Sequence, residues 1–436
     1  MLTRFAPSPT GYLHIGNIRT ALICYLYAQK EGGKFLLRID DTDTERSKQE
    51  YIDAIFNDLA WLGITPDVTA KQSERVDKYD DAVAKLKNSG HLYPCYETAE
   101  ELEFKRKIQL GRGMPPVYDR SALKLSQDDV NKFESDGRKP HWRFKLSDEE
   151  VIWDDEIRGE IKISPSTMSD PILIRENGGY TYMLPSTVDD IDFSVTNVLR
   201  GEDHISNTAI QIQMFQAMGA NPPKFAHNSL IKSKEGKLSK RQGDGAVGKL
   251  RDAGIRPMAV NSFLAKIGSS DSVELKKEMQ QLIDEFDISK FSKSPTLYSL
   301  DEIERINTKA LHETDFEEVK ARLPEGMTAD FWLAVRDNVE NVDDAAIWWK
   351  ICKGDIESII DDEDKEFLSH AAELLPQNID EDSWNIWVAH LKDKSGRKGK
   401  KLFMPIRKAL TGMEHGPELK KMLPLIGREE ILKRLG

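Results

Sequence analysis

Three stretches of the sequence carry side chains able to do chemistry. In Pro7-Ser8-Pro9-Thr10-Gly11-Tyr12-Leu13-His14-Ile15-Gly16-Asn17 a histidine stands where a helical pattern begins. Its ring and the open amides of a helix start can face a bound phosphate together. Lys237-Leu238-Ser239-Lys240-Arg241, about 220 residues further on, sets two lysines around a small polar residue. Taken alone, such a turn is usually a solvated loop. Arg38-Ile39-Asp40-Asp41-Thr42-Asp43 ends an apolar run with carboxylates. Capping of the next helix is the plainer use for these acids, but Ser47 and Glu50 have the spacing of a capping box, which leaves the upstream acids freer for a ligand.

The elements that must hold these residues follow from periodicity. Residues 2–6 read as a strand, Pro7, Pro9 and Gly11 as a tight loop, and Ile18, Ala21, Leu22, Tyr25, Leu26 and Ala28 as one face of a helix opening near Gly16 and ending at Gly32-Gly33. Lys34 to Ile39 is the next strand. Such a βαβ unit implies a parallel sheet, with ligands at the carboxyl ends of its strands, here residues 6–16 and 40–43. Gly11 and Gly16 share the glycine spacing of a phosphate-binding P-loop, but Asn17-Ile18 replace its Lys and Ser/Thr, and no Gly-x-Gly-x-x-Gly follows the strand. A later apolar strand, Ser194 to Leu199, leads into Arg200-Gly201-Glu202-Asp203-His204.

Residues 7–17 resemble the HIGH signature of class I aminoacyl-tRNA synthetases in its glutamyl form, with Asn17 at its last position, and residues 237–241 resemble the KMSKS loop of the same class. The acidic run resembles the Arg-Ile-Glu-Asp-Thr-Asp segment of glutamyl enzymes, with Asp40 one methylene shorter than the Glu. The resemblance implies an α/β fold, a Rossmann-type parallel-sheet catalytic domain with an acceptor-binding insertion, followed by an all-α anticodon-binding region. It implies catalysis by His14, Lys237 and Lys240, and nucleotide contacts from Thr10, Gly16, Asn17, Asp203, Leu238 and Ser239. Arg4, Ala6, Ser8, Asp40, Tyr182 and Arg200 would hold glutamate, and Asp43, Arg397, Lys398, Lys400 and Lys401 would touch tRNA. A guanidinium grips a carboxylate through two parallel bonds that a neutral amide cannot match, which is the basis for preferring glutamate to glutamine. ATP is then a substrate that arrives with Mg²⁺. The substrate carboxylate is itself the nucleophile, and family members generally bind tRNA before activating glutamate.

The expected boundaries are 1–77 and 186–245 for the two catalytic halves, 78–185 for the insertion, 246–305 for a stem-contact domain, and 306–436 for a helical region that splits near 375. At the start of the insertion, Cys95 stands where some relatives bind zinc through several cysteines; Glu97 and Ala122 are near the other positions, so no zinc is expected. Trp348, Trp349, Trp384 and Trp387 lie at helical spacing and read as core.

Composition sets the outer limits. A chain of 436 residues with 39% hydrophobic and 31% charged residues has the material for about three or four domains and no long disordered region. A formal net charge of −12 argues against nonspecific nucleic-acid binding, but six cations between Lys392 and Lys401 stand against an acidic run from Asp337 to Asp382. Three scattered cysteines form no disulfide framework, no apolar run spans a bilayer, and no export pattern precedes the first strand; a cytoplasmic monomer is expected. The partners are then tRNA(Glu), with tRNA(Gln) left open, L-glutamate and ATP. A glutaminyl enzyme, a shortened relative acting on a tRNA base, and a scaffold without catalysis are the rivals. Arg200 and Ile39, the length of the chain, and intact His14 and Lys240 speak against them in turn.

Overall fold

The computed structural model describes residues 1–233 and 246–436, in two compact units: Met1–Ala253 with Pro257–Glu302, and Gly254–Arg256 with Ile303–Gly436. The first opens with β1 (Leu2–Phe5), α1 (Ile15–Lys30), β2 (Lys34–Ile39), α2 (Gln49–Trp61) and β3 (Val68–Lys71). Next come α3 (Val76–Asn88), β4 (Leu92–Cys95), α4 (Ala99–Gly111), α5 (Gln127–Ser135), β5 (His141–Phe144), β6 (Val151–Asp155), β7 (Gly159–Ile163) and β8 (Ile172–Ile174). Then follow α6 (Met183–Asp192), β9 (Asn197–Gly201), α7 (Ile205–Ala217), β10 (Lys224–Asn228), β11 (Ile231–Ser233), α8 (Val247–Asp252), α9 (Pro257–Lys266), α10 (Met279–Glu285) and β12 (Thr296–Tyr298).

Seven strands form one sheet in the order β3-β2-β1-β9-β10-β6-β7. All neighbours are parallel except the β6–β7 hairpin. Parallel strands are covered on both faces, which is why β2 reads Phe35-Leu36-Leu37 without alternation and all three side chains are fully buried. Gly33, just before β2, has no room for a Cβ: one would lie 2.5 Å from the Met1 carbonyl oxygen. The hairpin lies inside the stretch 78–185, and β6 carries it into the catalytic sheet beside β10, whereas β4, β5 and β8 make a separate three-stranded sheet. From β1 the chain builds outward through β2 and β3 on one side and later through β9 and β10 on the other. This reversal opens a crevice at the carboxyl ends of β1 and β9.

The second unit is helical around one apolar core in which Trp387 is fully buried and Trp348 nearly so; Trp349 and Trp384 pack against it. The Trp387 Nε1–H donates to the Ala371 carbonyl at 2.9 Å, so these tryptophans serve the core as their spacing indicates.

Two local expectations shift. Helix α2 starts at Gln49 with Lys48 as its N-cap and no side-chain cap bond, because the Ser47 amide closes a turn onto the Asp43 carbonyl at 2.9 Å. Ser47 thus falls one residue short of the cap, and no capping box forms with Glu50. Strand β9 begins at Asn197, later than Ser194, because Ser194 has φ 56° and closes the end of α6.

Candidate active site

Strand β1 ends at Phe5, and the following loop is pinned on two sides. The Asp40 amide donates to Pro7 O at 3.0 Å and the Lys48 amide to Pro9 O at 3.1 Å. Ser8 and Thr10 are exposed above the crevice and Ala6 is half-buried. His14 then caps α1: its Nδ1 accepts from the Gly16 and Asn17 amides at 3.0 and 3.3 Å, while Asn17 Oδ1 accepts from the His14 amide at 3.2 Å. With Nδ1 committed as an acceptor, the ring proton sits on Nε2, which makes that nitrogen a donor suited to phosphate oxygen. Asn17 at the last position of the motif completes the cap from the other side.

Gly16 has a local reason to lack a side chain. A Cβ there would lie 2.9 Å from His14 Cε1 and 3.1 Å from Nδ1, so the imidazole folds over the glycine. Gly16→Ala therefore displaces the ring. We expect pyrophosphate exchange to fall by about 100-fold while stability drops by only about 1 kcal/mol; parallel exchange assays and thermal unfolding check this.

Lys237, Leu238, Ser239, Lys240 and Arg241 lie outside the described residues. The chain on either side of them is informative. It leaves through β11, directly after the carboxyl end of β10, and at its return Ala246 forms a bridge with His14 and the Val247 amide donates to Leu13 O at 3.0 Å. The residues that follow both lysines in the chain are thus tied by their backbone to the histidine loop.

Below the loops lies a buried charge network. Arg38, fully buried on β2, pairs with Asp40 at 2.7 Å and with Asp190 of α6 at 2.7 Å, and donates to Ser186 Oγ at 3.1 Å. Arg4, on β1, reaches Asp190 at 3.3 Å. Asp189 is held by Arg75 at 2.7 Å and by the Tyr79 hydroxyl at 2.9 Å. Burial pushes the Asp40 carboxyl up to about 6 in spite of Arg38, so a cation docking there would favour its ionised form. Arg200, on β9, differs from its neighbours: among the described residues no carboxylate lies within ion-pair distance, and its Nε is buried without a partner. Burial pushes its guanidinium down to about 10, and Arg4 adds to the effect. A buried cation without a counterion is a place for an anionic ligand. Tyr182 stands at the rim with its hydroxyl 3.5 Å from His204 Nδ1, and Asp203 is exposed in the turn before α7.

The tRNA candidates divide. Asp43 is bound by Arg46 at 2.6 Å. Lys398, Lys400 and Lys401 are exposed, whereas Arg397 pairs with Asp364 and lies 4.4 Å over the Phe367 ring, so its guanidinium holds the fold of the helical unit.

Of the charge network only Arg4 and Asp40 are among the site residues singled out from sequence, although an arginine in the apolar strand Leu36-Leu37-Arg38-Ile39 is a signal for further buried carboxylates nearby. At Cys95 the structure adds a donor. Strand β5 places His141 opposite Cys95, and the ligand atoms of Cys95, Glu97 and His141 lie within 4.8 Å of one another, the one such group among the described residues. Ala122 offers no fourth ligand, and the Tyr118 hydroxyl donates to Glu97 Oε1 at 2.8 Å. Burial pushes the Cys95 thiol up to about 11 and His141 down to about 4. A soft thiol and an imidazole are not the oxygen set that Mg²⁺ prefers.

Residues 1–305 match the family of class I tRNA synthetases (E and Q), catalytic domain, and residues 337–436 match an anticodon binding domain. The chain belongs to this synthetase family. Among curated members, glutamate–tRNA ligase 2 of Erythrobacter litoralis is 54% identical over 99% of this chain and 97% of its own. Glutamate–tRNA ligase 2 of Ehrlichia canis is 52% identical over 100% and 99%. A crystal structure of a glutamate tRNA ligase from Elizabethkingia meningosepticum, in complex with its amino acid, superposes with a TM-score of 0.88 at 28% identity, covering 100% of this chain and 98% of that one. The class I fold read from the two motifs, with a helical anticodon-binding region behind it, is thus the fold of this synthetase.

Proposed function

We infer that the chain is a glutamate–tRNA ligase, which activates L-glutamate with ATP and transfers it to the 3′ end of tRNA(Glu). The observation that carries the reading is the backbone tie between Ala246–Val247 and Leu13–His14, beside a crevice whose buried cation, Arg200, lacks a counterion. Full-length similarity to glutamate–tRNA ligases supports the choice of amino acid.

The chemistry follows from the residues. Arg200 grips the side-chain carboxylate of glutamate, with Arg4 and Ser8 alongside, and Asp40 faces the α-ammonium. The α-carboxylate oxygen attacks the α-phosphate in line; a carboxyl O–P bond forms as the bond to pyrophosphate breaks, and no base is required. His14 donates from Nε2 to the phosphates, and Lys237 and Lys240 offset the charge that grows on pyrophosphate. Mg²⁺ enters with the triphosphate, and no zinc takes part. A terminal ribose hydroxyl of tRNA then attacks the acyl carbon and releases AMP. Lys398, Lys400 and Lys401 contact tRNA phosphates, and the enzyme works as a cytoplasmic monomer.

Pyrophosphate exchange tests the reading. It is expected with glutamate, ATP and tRNA(Glu) together and not with glutamine. Exchange with glutamine in place of glutamate, or none with tRNA present, overturns it.

A further inference from the structure

A chain of buried hydrogen bonds leads away from Arg200, and its members have no place in the chemistry above. The Arg200 Nη2–H donates to Thr208 Oγ1 at 2.6 Å. Thr208 Oγ1 lies 2.8 Å from His227 Nε2, and His227 Nδ1 lies 2.5 Å from Asp155 Oδ2. Thr208 and His227 are fully buried and Asp155 nearly so. Three elements contribute: Thr208 from the first turns of α7, His227 from β10 and Asp155 from the end of β6.

The proton directions are fixed from the far end. Asp155 is an acceptor, and its other oxygen already receives the His227, Ile157 and Arg158 amides at 3.1, 3.2 and 3.0 Å. His227 Nδ1 must therefore carry hydrogen. Burial lowers the basicity of this imidazole, which keeps the ring neutral with Nε2 as an acceptor. The Thr208 hydroxyl has two acceptors in reach, His227 Nε2 at 2.8 Å and the His204 carbonyl at 3.2 Å; its one proton goes to the nearer, and its lone pairs turn toward Arg200. Every bond in the series points the same way, from guanidinium to carboxylate. The Phe225 ring supports the series at two points: the Arg200 guanidinium carbon lies 5.6 Å from its centroid, and His227 stacks on it at 6.3 Å.

The consequence concerns orientation. Arginine recognises a carboxylate through a planar fork, so its value depends on the angle at which the fork is held. Thr208 takes one corner of the fork and leaves the other donors to the crevice. We propose that Thr208, His227 and Asp155 are positioning residues that set the plane of Arg200 and thereby the preference for glutamate over glutamine. This rests on the reading of Arg200 as the glutamate ligand.

Steady-state exchange kinetics of Thr208→Val, Thr208→Ser and Arg200→Gln, singly and with Thr208→Val and Arg200→Gln combined, separate the two. The isosteric Thr208→Val, which removes only the hydroxyl, should raise the KM for glutamate about tenfold or more and lower the glutamate-to-glutamine ratio, with kcat and the KM for ATP unchanged. Thr208→Ser keeps the hydroxyl and should restore both. Adding Thr208→Val to Arg200→Gln should cost nothing further, since the two act through one contact. A damaged fold would raise the KM for ATP as well and would not be rescued by serine. If Thr208→Val does not fold, Thr208→Ala is measured in the same way. An unchanged glutamate KM in Arg200→Gln overturns the ligand role of Arg200; a raised KM there with an unchanged one in Thr208→Val overturns only the positioning role.

Discussion

Replacing Lys240 by Ala is expected to lower the rate of glutamyl-adenylate formation by about 10²–10³ while ATP affinity falls only a few-fold. The asymmetry has a physical cause. In the ground state the triphosphate already carries its charge and its Mg²⁺, and one further ammonium adds little. As the bond to pyrophosphate breaks, negative charge accumulates on the leaving group, and a lysine aimed there gains most at that moment. Ala246 and Val247, which follow the lysine segment in the chain, are tied to the histidine loop. Single-turnover adenylate formation, with ATP binding measured separately, resolves the two quantities. Equal losses in rate and affinity would contradict a role specific to the transition state.

Arg200→Gln should raise the glutamate KM steeply, by about 2–5 kcal/mol in binding terms, and collapse the selectivity against glutamine. The structure explains the size. Arg4 and Arg38 already have buried carboxylates as partners, Asp190 and Asp40, so truncating Arg200 removes the one crevice cation that lacks such a partner among the described residues. An amide in its place treats a carboxylate and a carboxamide nearly alike. The ratio of glutamate to glutamine exchange rates reads this directly, and an unchanged ratio would remove Arg200 from the pocket.

The parts of this account that were legible in the sequence are local. Helix α1 and strand β2 stand close to where periodicity and Gly32-Gly33 put them, and the tryptophan spacing located the helical core. His14 was legible as a group at a helix start, because capping depends on three neighbouring residues. The Asp190 partner of Arg38 was not, since it lies 152 residues away along the chain and comes into reach only when α6 packs on the sheet. The same holds for His141, which meets Cys95 across a strand pair, and for His227, which meets Asp155 from a separate strand. Arg397 has partners that its sequence neighbourhood does not show. Its basic neighbourhood pointed outward to tRNA, but a buried aromatic face and Asp364 draw the guanidinium inward, and only its lysine neighbours remain exposed.

The central claim is that the histidine loop and the lysine segment enclose one triphosphate at the carboxyl ends of β1 and β9. A crystal structure of the full chain with ATP, Mg²⁺ and glutamate tests it most directly. The account predicts His14 Nε2 and Lys240 Nζ within hydrogen-bond distance of the same nucleotide, with the glutamate side chain on Arg200. A nucleotide bound at another edge of the sheet, or one touched by His14 while the lysines point into solvent, would contradict it.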